Sequence, residues 1–182
     1  MIILLRLLWV VLLGLHRPRL GVADVSRLSM LVWLVDLDLN LHMNNGRYLA
    51  LMDLGRGDWM IRSGAWRLIR RERMTPVVAG CMVRYRRSLR PLQRFELRTR
   101  LLGWDQRWVY VEQVMESNEG VACLAVVRTG FLRDGHLVSP AEMVQKLNVT
   151  SVPPALPDWV ADWTRNEAAF ANGAMNDRAA EP

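Results

Sequence analysis

The hydrophobic pattern changes its period along the chain. Leu28, Met30, Val32 and Leu34 alternate with Ser29, Leu31 and Trp33, which predicts a strand. A polar loop with two aspartates follows, and Asn44 or Asn45 can cap a helix running to about Ser63. Tyr48, Leu51, Met52 and Trp59 fall on one face of that helix. Gly55 lies on the same face and would let a sheet approach closely. Further strands are predicted over Val77–Arg87, Phe95–Leu101, Trp108–Met115 and Val121–Leu132, the last two joined by an Asn118-Glu119-Gly120 turn. Val121–Val127 is apolar at every position, so this strand should be covered on both faces. Asp134-Gly135 reads as another turn. Ser139-Pro140-Ala141-Glu142 is a capping box with proline at the first helical position. One long helix followed by an antiparallel meander implies an α+β fold, with the sheet wrapped on the helix.

The ends stand apart from this pattern. The first fifteen residues are almost wholly apolar, interrupted by Arg6. As a helix they would run about 22 Å, short of the roughly 30 Å hydrocarbon core of a bilayer. The preferred reading of residues 1–20 is an anchor lying on the membrane surface, with Arg17 and Arg19 against lipid phosphates. A packed arm and a secretory signal are the alternatives. The core pattern begins only near Arg27, so removing the apolar segment should leave the domain folded. The domain itself is expected over residues 24–150. Residues 151–182 are Pro-rich, then polar, and read as a poorly ordered tail in which Trp159 and Trp163 could hold a short helix onto the surface.

Composition narrows the function classes. Half of the 182 residues are hydrophobic and 23% are charged, enough to build a core. The net charge is +6, and Lys146 is the only lysine among the basic residues. That balance permits an anionic partner without requiring one. No nucleic-acid motif is present, so nucleic acid is not expected as a partner. Cys81 and Cys123 lie in apolar runs and are expected as buried thiols. G-x-S-x-G, P-loop and G-x-G-x-x-G motifs are absent, which disfavours a serine α/β-hydrolase, an NTPase and a dinucleotide enzyme.

The informative chemistry is the stretch from Asp36 to Tyr48, reading DLDLNLHMNNGRY. It brings two carboxylates, an imidazole and a helix N-terminus within a few residues. A carboxylate can attack or deprotonate water, and a helix N-terminus offers free N–H groups to a developing oxyanion. Those are the parts that acyl-transfer hydrolysis needs. Two carboxylates and one histidine could also be read as a metal site, but no second His or Cys lies close, and none is expected.

This stretch resembles the signature of hotdog-fold thioesterases of the 4-hydroxybenzoyl-CoA thioesterase type. It is similar to the corresponding segment of plant acyl-ACP thioesterases. It also resembles membrane-associated thioesterase-superfamily proteins, in which Tyr85-Arg86-Arg87-Ser88-Leu89 and Leu101-Leu102-Gly103-Trp104-Asp105 have counterparts. The resemblance implies a hotdog domain in which Asp38 is the catalytic carboxylate and Asn40 and His42 accompany it. Asn44, Asn45 and Gly46 at the helix start are expected to meet the substrate through their N–H groups, although Asn44 and Asn45 read first as caps. The acyl-ACP enzymes add an acidic or cysteine residue from a later strand; Arg84–Leu89 has neither, only Ser88 in a basic run. Asp36 reads first as a loop acid and Tyr48 as core. Arg84, Arg86 and Arg87 read either as charges guarding an exposed strand or as a landing site for the phosphates of coenzyme A or of a carrier protein's pantetheine arm.

The function implied is hydrolysis of a fatty or aromatic acyl thioester, acyl-CoA or acyl-carrier-protein. It needs no cofactor beyond the coenzyme A of the substrate. A homodimer or dimer of dimers and a cytoplasmic location, peripheral on the membrane through residues 1–19, accompany it. The alternatives are a non-catalytic membrane-attached acyl- or lipid-binding protein and an acyl-thioester hydratase or dehydratase of the same fold.

Overall fold

A computed structural model describes residues 2–147 and 155–179. The elements in chain order are α1 (Ile2–His16), β1 (Ser26–Leu31), α2 (Asn45–Arg62), α3 (Ala65–Arg71) and β2 (Thr75–Tyr85). They continue as β3 (Arg94–Trp104), β4 (Val109–Ser117), β5 (Gly120–Arg133), β6 (His136–Leu137), α4 (Pro140–Lys146) and α5 (Asp158–Ala179). The sheet is antiparallel in the order β1-β3-β4-β5-β2, with the short β6 paired to β5. Its concave face wraps α2, as the meander implied.

α2 begins where expected. Asn44 is its N-cap, and the side-chain oxygen accepts the Gly46 N–H at 2.9 Å. Tyr48, Leu51, Met52, Leu54 and Trp59 are buried, the first four of them against Leu28, Leu97, Met115 and Cys123 from the sheet. At Gly55 the helix comes closest. A Cβ there would stand 2.6 Å from Thr99 Oγ1, 2.7 Å from Leu97 Cδ2 and 3.0 Å from Gln113 Nε2. The buried Gln113 amide uses this proximity, donating to Met52 O at 2.8 Å and to Thr99 Oγ1 at 3.0 Å. Gly55→Ala should therefore cost about 1–3 kcal/mol of stability, the usual range for overpacking. Denaturant unfolding of the two proteins measures it, and an unchanged midpoint would mean that the helix can retreat freely.

Several boundaries differ from the periodic reading. β1 ends at Leu31, and Leu34 is exposed in a 3-10 turn spanning Leu34–Asp36. The Asp36 carboxylate accepts the Trp33 N–H at 2.9 Å and turns the chain out of the strand. β2 ends at Tyr85, because the N–H groups of Arg86 and Arg87 both converge on Ala122 O at 2.8 and 3.1 Å. α3 has no counterpart in that reading; it buries Ala65, Leu68 and Ile69 beneath a basic outer surface. Ser139 caps α4, accepting the Glu142 N–H as its motif implied. Cys123 is buried, but Cys81 is exposed, since β2 is the last strand of the sheet and nothing among the described residues covers its outer edge.

Both ends of the chain pack on the domain. The expected poorly ordered tail is instead a helix over its described part. α5 lies on the convex face of the sheet, where Val160 and Trp163 meet Tyr110, Val126 and Trp108. Val160 and Trp163, not Trp159, form the docking pair, and Trp159 is exposed. Arg128 of β5 lies over the rings of Trp108 and Trp163 and pairs with Glu167. α5 thus meets the outer face of the Val121–Val127 run at Val126, while Ala122, Cys123 and Ala125 pack in the core with α2. Pro153 and Pro154 lie outside the described residues.

At the other end, α1 docks on α2. Val10 is fully buried, and Gly14 lies against Ile61 and Asp58. Behind it, Asp58 is fully buried; it accepts from Ser26 Oγ at 2.5 Å and from Arg62 Nη1 at 3.2 Å, with Arg17 at 3.7 Å. The apolar segment is therefore not detached from the domain. Its opposite face, with Leu4, Leu5, Leu8, Trp9, Leu12 and Leu15, remains exposed. No described helix is long and apolar enough to cross a membrane.

Candidate functional site

The loop between β1 and α2 closes as a small antiparallel hairpin. Asn44 N–H donates to Asp36 O at 2.8 Å, Leu37 and Met43 form a bridge, and Asp38 N–H donates to His42 O at 2.9 Å. Four residues after Asp38 the chain has thus reversed, with Leu41 in the left-handed region at φ 56°. Asp38, Asn40 and His42 therefore sit together at the tip of a loop whose base is the N-terminus of α2. Sequence spacing alone placed them near one another; the reversal makes them neighbours.

Asp38 is half-buried, and its two oxygens differ. Oδ1 accepts the Asn40 N–H at 2.9 Å and the His42 N–H at 3.4 Å. Oδ2 has no partner among the described residues. One oxygen is thus fixed by backbone dipoles, and the other is left for chemistry. Asn40 and His42 are exposed, and their side chains hold no hydrogen bond among the described residues.

The helix end is less open than the sequence suggested. Asn44 Oδ1 occupies the Gly46 N–H, and Asn44 O accepts the Arg47 N–H at 2.8 Å. The N–H of Asn45 is the one left without a partner among the first helical residues described. Asn44 and Gly46 are therefore engaged in the cap itself, and the Asn45 N–H is the free donor at this end.

A framework that the motif did not reveal surrounds this end. The Tyr85 hydroxyl donates to Asn45 O at 3.0 Å, tying the end of β2 to the start of α2. Its ring meets that of Tyr48 edge-on, with centroids 5.2 Å apart. The Tyr48 hydroxyl accepts the Leu89 N–H at 3.2 Å, and Leu89 O accepts the Met43 N–H at 2.9 Å. Burial raises the pKa of both phenols, so they remain neutral. The Tyr85–Leu89 segment is thus a brace for the loop. Cys123 pairs with Tyr85 across the sheet, and burial pushes its thiol up to about 12, which favours the protonated form. Arg84, Arg86 and Arg87 are exposed and form no ion pair among the described residues. Arg86 and Arg87 lie beyond the strand, in the brace itself.

Farther along α2 is a second feature invisible in the sequence. An apolar cavity of about 290 Å³ lies between the sheet and α2, α3 and α4, walled by Trp59, Met60, Val109, Phe131 and Met143. Asp53 and Arg56 line it as an ion pair, and Arg56 Nη1 donates to Gln113 Oε1 at 2.7 Å. Desolvation lowers the Arg56 pKa, and the Asp53 charge opposes that shift. Leu49, Asp53 and Arg56 recur at helical spacing, so one face of α2 leads from the Asn45 end toward the cavity.

A sequence profile described as the thioesterase-like superfamily matches residues 32–164. Protein THEM6 of Xenopus laevis is 38% identical over 133 residues, which are 71% of this chain and 62% of that protein. Protein THEM6 of Danio rerio is 32% identical over 155 residues, 81% of this chain and 75% of that protein. The chain thus spans less than two thirds of the length of the first and three quarters of the second. Among solved structures, the probable thioesterase YbaW from Escherichia coli has a TM-score of 0.62 at 22% identity, over 66% of this chain and 95% of that one. Slr0204, a 1,4-dihydroxy-2-naphthoyl-CoA thioesterase from Synechocystis, has a TM-score of 0.57 at 9% identity, over 68% and 95%. These likenesses agree with the wrapped helix in giving the hotdog fold. The profile runs from the loop between β1 and α2 through every strand of the meander and into α5, so the chain belongs to the thioesterase-like superfamily.

Proposed function

We propose that the chain hydrolyses fatty acyl thioesters, with acyl-CoA as the leading substrate. The observation that carries this reading is the pairing of a half-held carboxylate with a free helix N–H: Asp38 Oδ2 and the Asn45 N–H at the two ends of one loop. Asp38 attacks the thioester carbonyl or takes a proton from the attacking water. The Asn45 N–H receives the charge that develops on the carbonyl oxygen. If water attacks, Asp38 takes its proton, and collapse of the tetrahedral adduct breaks the carbon–sulfur bond to give the acid and a thiolate that is then protonated. If Asp38 attacks, the same collapse leaves an acyl-aspartyl anhydride, which a water then hydrolyses to the acid and free Asp38. The backbone N–H groups of Asn40 and His42 hold Asp38, and their free side chains are left to meet the substrate. Arg84, Arg86 and Arg87 offer unpaired charge to the phosphates of the thiol carrier.

The cavity supports a fatty rather than a small acyl group. From Asn45 to Arg56, α2 advances about 16 Å, and an acyl chain laid along that face reaches the apolar cavity only if it is long. The exposed β2 edge supports a homodimer. Val78, Met82 and Tyr85 are exposed along an 11-residue strand whose outer backbone is unpaired, and a second copy would pair with it. α5 on the convex face argues against further stacking through that face. The outer face of α1, with the exposed Arg19 beyond it, supports attachment to a membrane surface, whereas Arg17, expected on lipid phosphates, is instead turned to Arg27 O and Asp58.

Thiol release measured over acyl-CoA substrates from short to long tests the reading. The rate should rise with chain length until the cavity is filled. A protein that binds long acyl-CoA but releases no thiol is the non-catalytic acyl-binding member instead, a reading favoured by the lack of an acidic residue on Arg84–Leu89.

A further inference from the structure

The base of the reaction loop is fastened from outside the matched family region. Arg6, on α1, donates through Nη1 to Asp36 Oδ1 at 3.0 Å and through Nη2 to Asp36 Oδ2 at 2.7 Å. The same Nη2 reaches Leu31 O, the last carbonyl of β1, at 3.0 Å. The Asp36 side chain is only 2% exposed and that of Arg6 13%. Asp36 in turn holds both ends of the loop. Its carboxylate accepts the Trp33 N–H at the start, and its carbonyl accepts the N–H of Asn44, the cap of α2. Arg47 approaches from the other side, its Nε 4.0 Å from Asp36 Oδ1. Asp38 is two residues on, within about 7 Å along an extended chain. A bidentate, sheltered pair of this kind fixes orientation as well as distance.

We infer that Arg6 is a positioning residue for the chemistry at Asp38, so that the N-terminal helix is part of the catalytic apparatus. The inference rests on the reading of Asp38 as the reacting carboxylate. Without the guanidinium, Asp36 keeps the Trp33 and Asn44 bonds but loses the contact that sets the loop against β1 and α1. The hairpin carrying Asp38 can then shift relative to Asn45. Misplacement by about 1 Å can lower a rate by as much as 10²-fold, and a loop still bonded at both ends should lose part of that. Substrate binding along α2 and at the arginines is not touched.

The test uses the full chain and palmitoyl-CoA, with kcat, KM and amide hydrogen exchange as readouts. Arg6→Gln should lower kcat roughly 10-fold with KM unchanged. The amides of Asp38 and Asn44, protected by His42 O and Asp36 O, should exchange faster. Arg6→Lys, which restores the charge but only a single donor, should recover part of kcat. Arg6→Gln leaves the buried Asp36 carboxylate with only Arg47, 4.0 Å away, as a charged partner and could fail to fold. The double variant Arg6→Met, Asp36→Asn has no orphan charge, and its amide oxygen can still accept the Trp33 N–H. It should regain thermal stability while kcat stays low and exchange stays fast. If kcat returns together with stability in the double variant, Arg6 serves only the fold and the inference is overturned. It is overturned equally if Arg6→Gln keeps wild-type kcat, or if its loop amides exchange as in the wild type. A wild type that releases no thiol defeats the hydrolase reading and the catalytic role with it. The exchange data then still show whether Arg6 holds the loop.

Discussion

Asp38→Asn should lower thioester turnover at saturating substrate by at least roughly 10²-fold, the low end for removing a positioned general base. The substitution keeps the shape of the side chain. Its oxygen can still accept from the Asn40 and His42 N–H groups that now hold Oδ1. Only the charge and basicity of the free oxygen are lost, so KM should change little. Asp36→Asn provides the contrast. Asp36 does not face substrate; it is buried and bonded to Arg6 and to the Trp33 N–H. Its variant should lose stability and a smaller part of the rate. The ratio between the two aspartate variants is the informative measurement. If both keep near-wild-type turnover, Asp38 is not the reacting group. If Asp36→Asn is the worse of the two at temperatures where both are folded, the loop's geometry outweighs its charge.

How far the residues foretell this site depends on whether their partners are local. Asn44 and Gly46 lie two apart, and the cap they form is readable from the sequence. Gly55 is legible because helical spacing places it on the buried face. The motif at Asp38 is recognisable as a string, but the differing fates of its two oxygens come from a backbone reversal at Leu41 that the string does not state. Leu34 misleads because apolar alternation continues past the point where Asp36 bends the chain. Cys81 misleads because an apolar run does not say whether its strand is central or last in the sheet. α5 eludes reading for a similar reason. Its docking face, Val160, Trp163 and Glu167, is completed by Trp108, which precedes β4, and by Arg128 of β5, more than thirty positions away. The cavity and its Asp53, Arg56 and Gln113 surroundings join three helices and four strands, and no single segment carries their signal.

The N-terminal segment is where sequence and structure diverge with the largest consequence. Its first fifteen residues are apolar on both faces, which hides the period of a docked helix; Arg6 is the single cue, and its partner is thirty residues away. Deleting residues 1–16 should therefore destabilise the domain by roughly 4–8 kcal/mol, rather than release a folded core. Stripping Arg6 from the buried Asp36 carboxylate, which then keeps only Arg47 at 4.0 Å as a charged partner, costs up to about 3–5 kcal/mol, and loss of the buried Val10 side chain adds about 1.5–3 kcal/mol. Against a total stability of about 5–15 kcal/mol, the truncated chain should be largely unfolded or aggregated by circular dichroism and size-exclusion chromatography. A soluble truncated protein with a wild-type unfolding midpoint would show that α1 contributes nothing to the fold. Membrane attachment must be tested on the intact helix, because its two faces do separate work. Leu8 and Leu12 project from the exposed side, away from Val10 and Arg6. Changing both to glutamate should abolish sedimentation with anionic vesicles and leave the unfolding midpoint unchanged. If the double glutamate variant still sediments with the vesicles, the outer face of α1 is not what holds the protein to lipid.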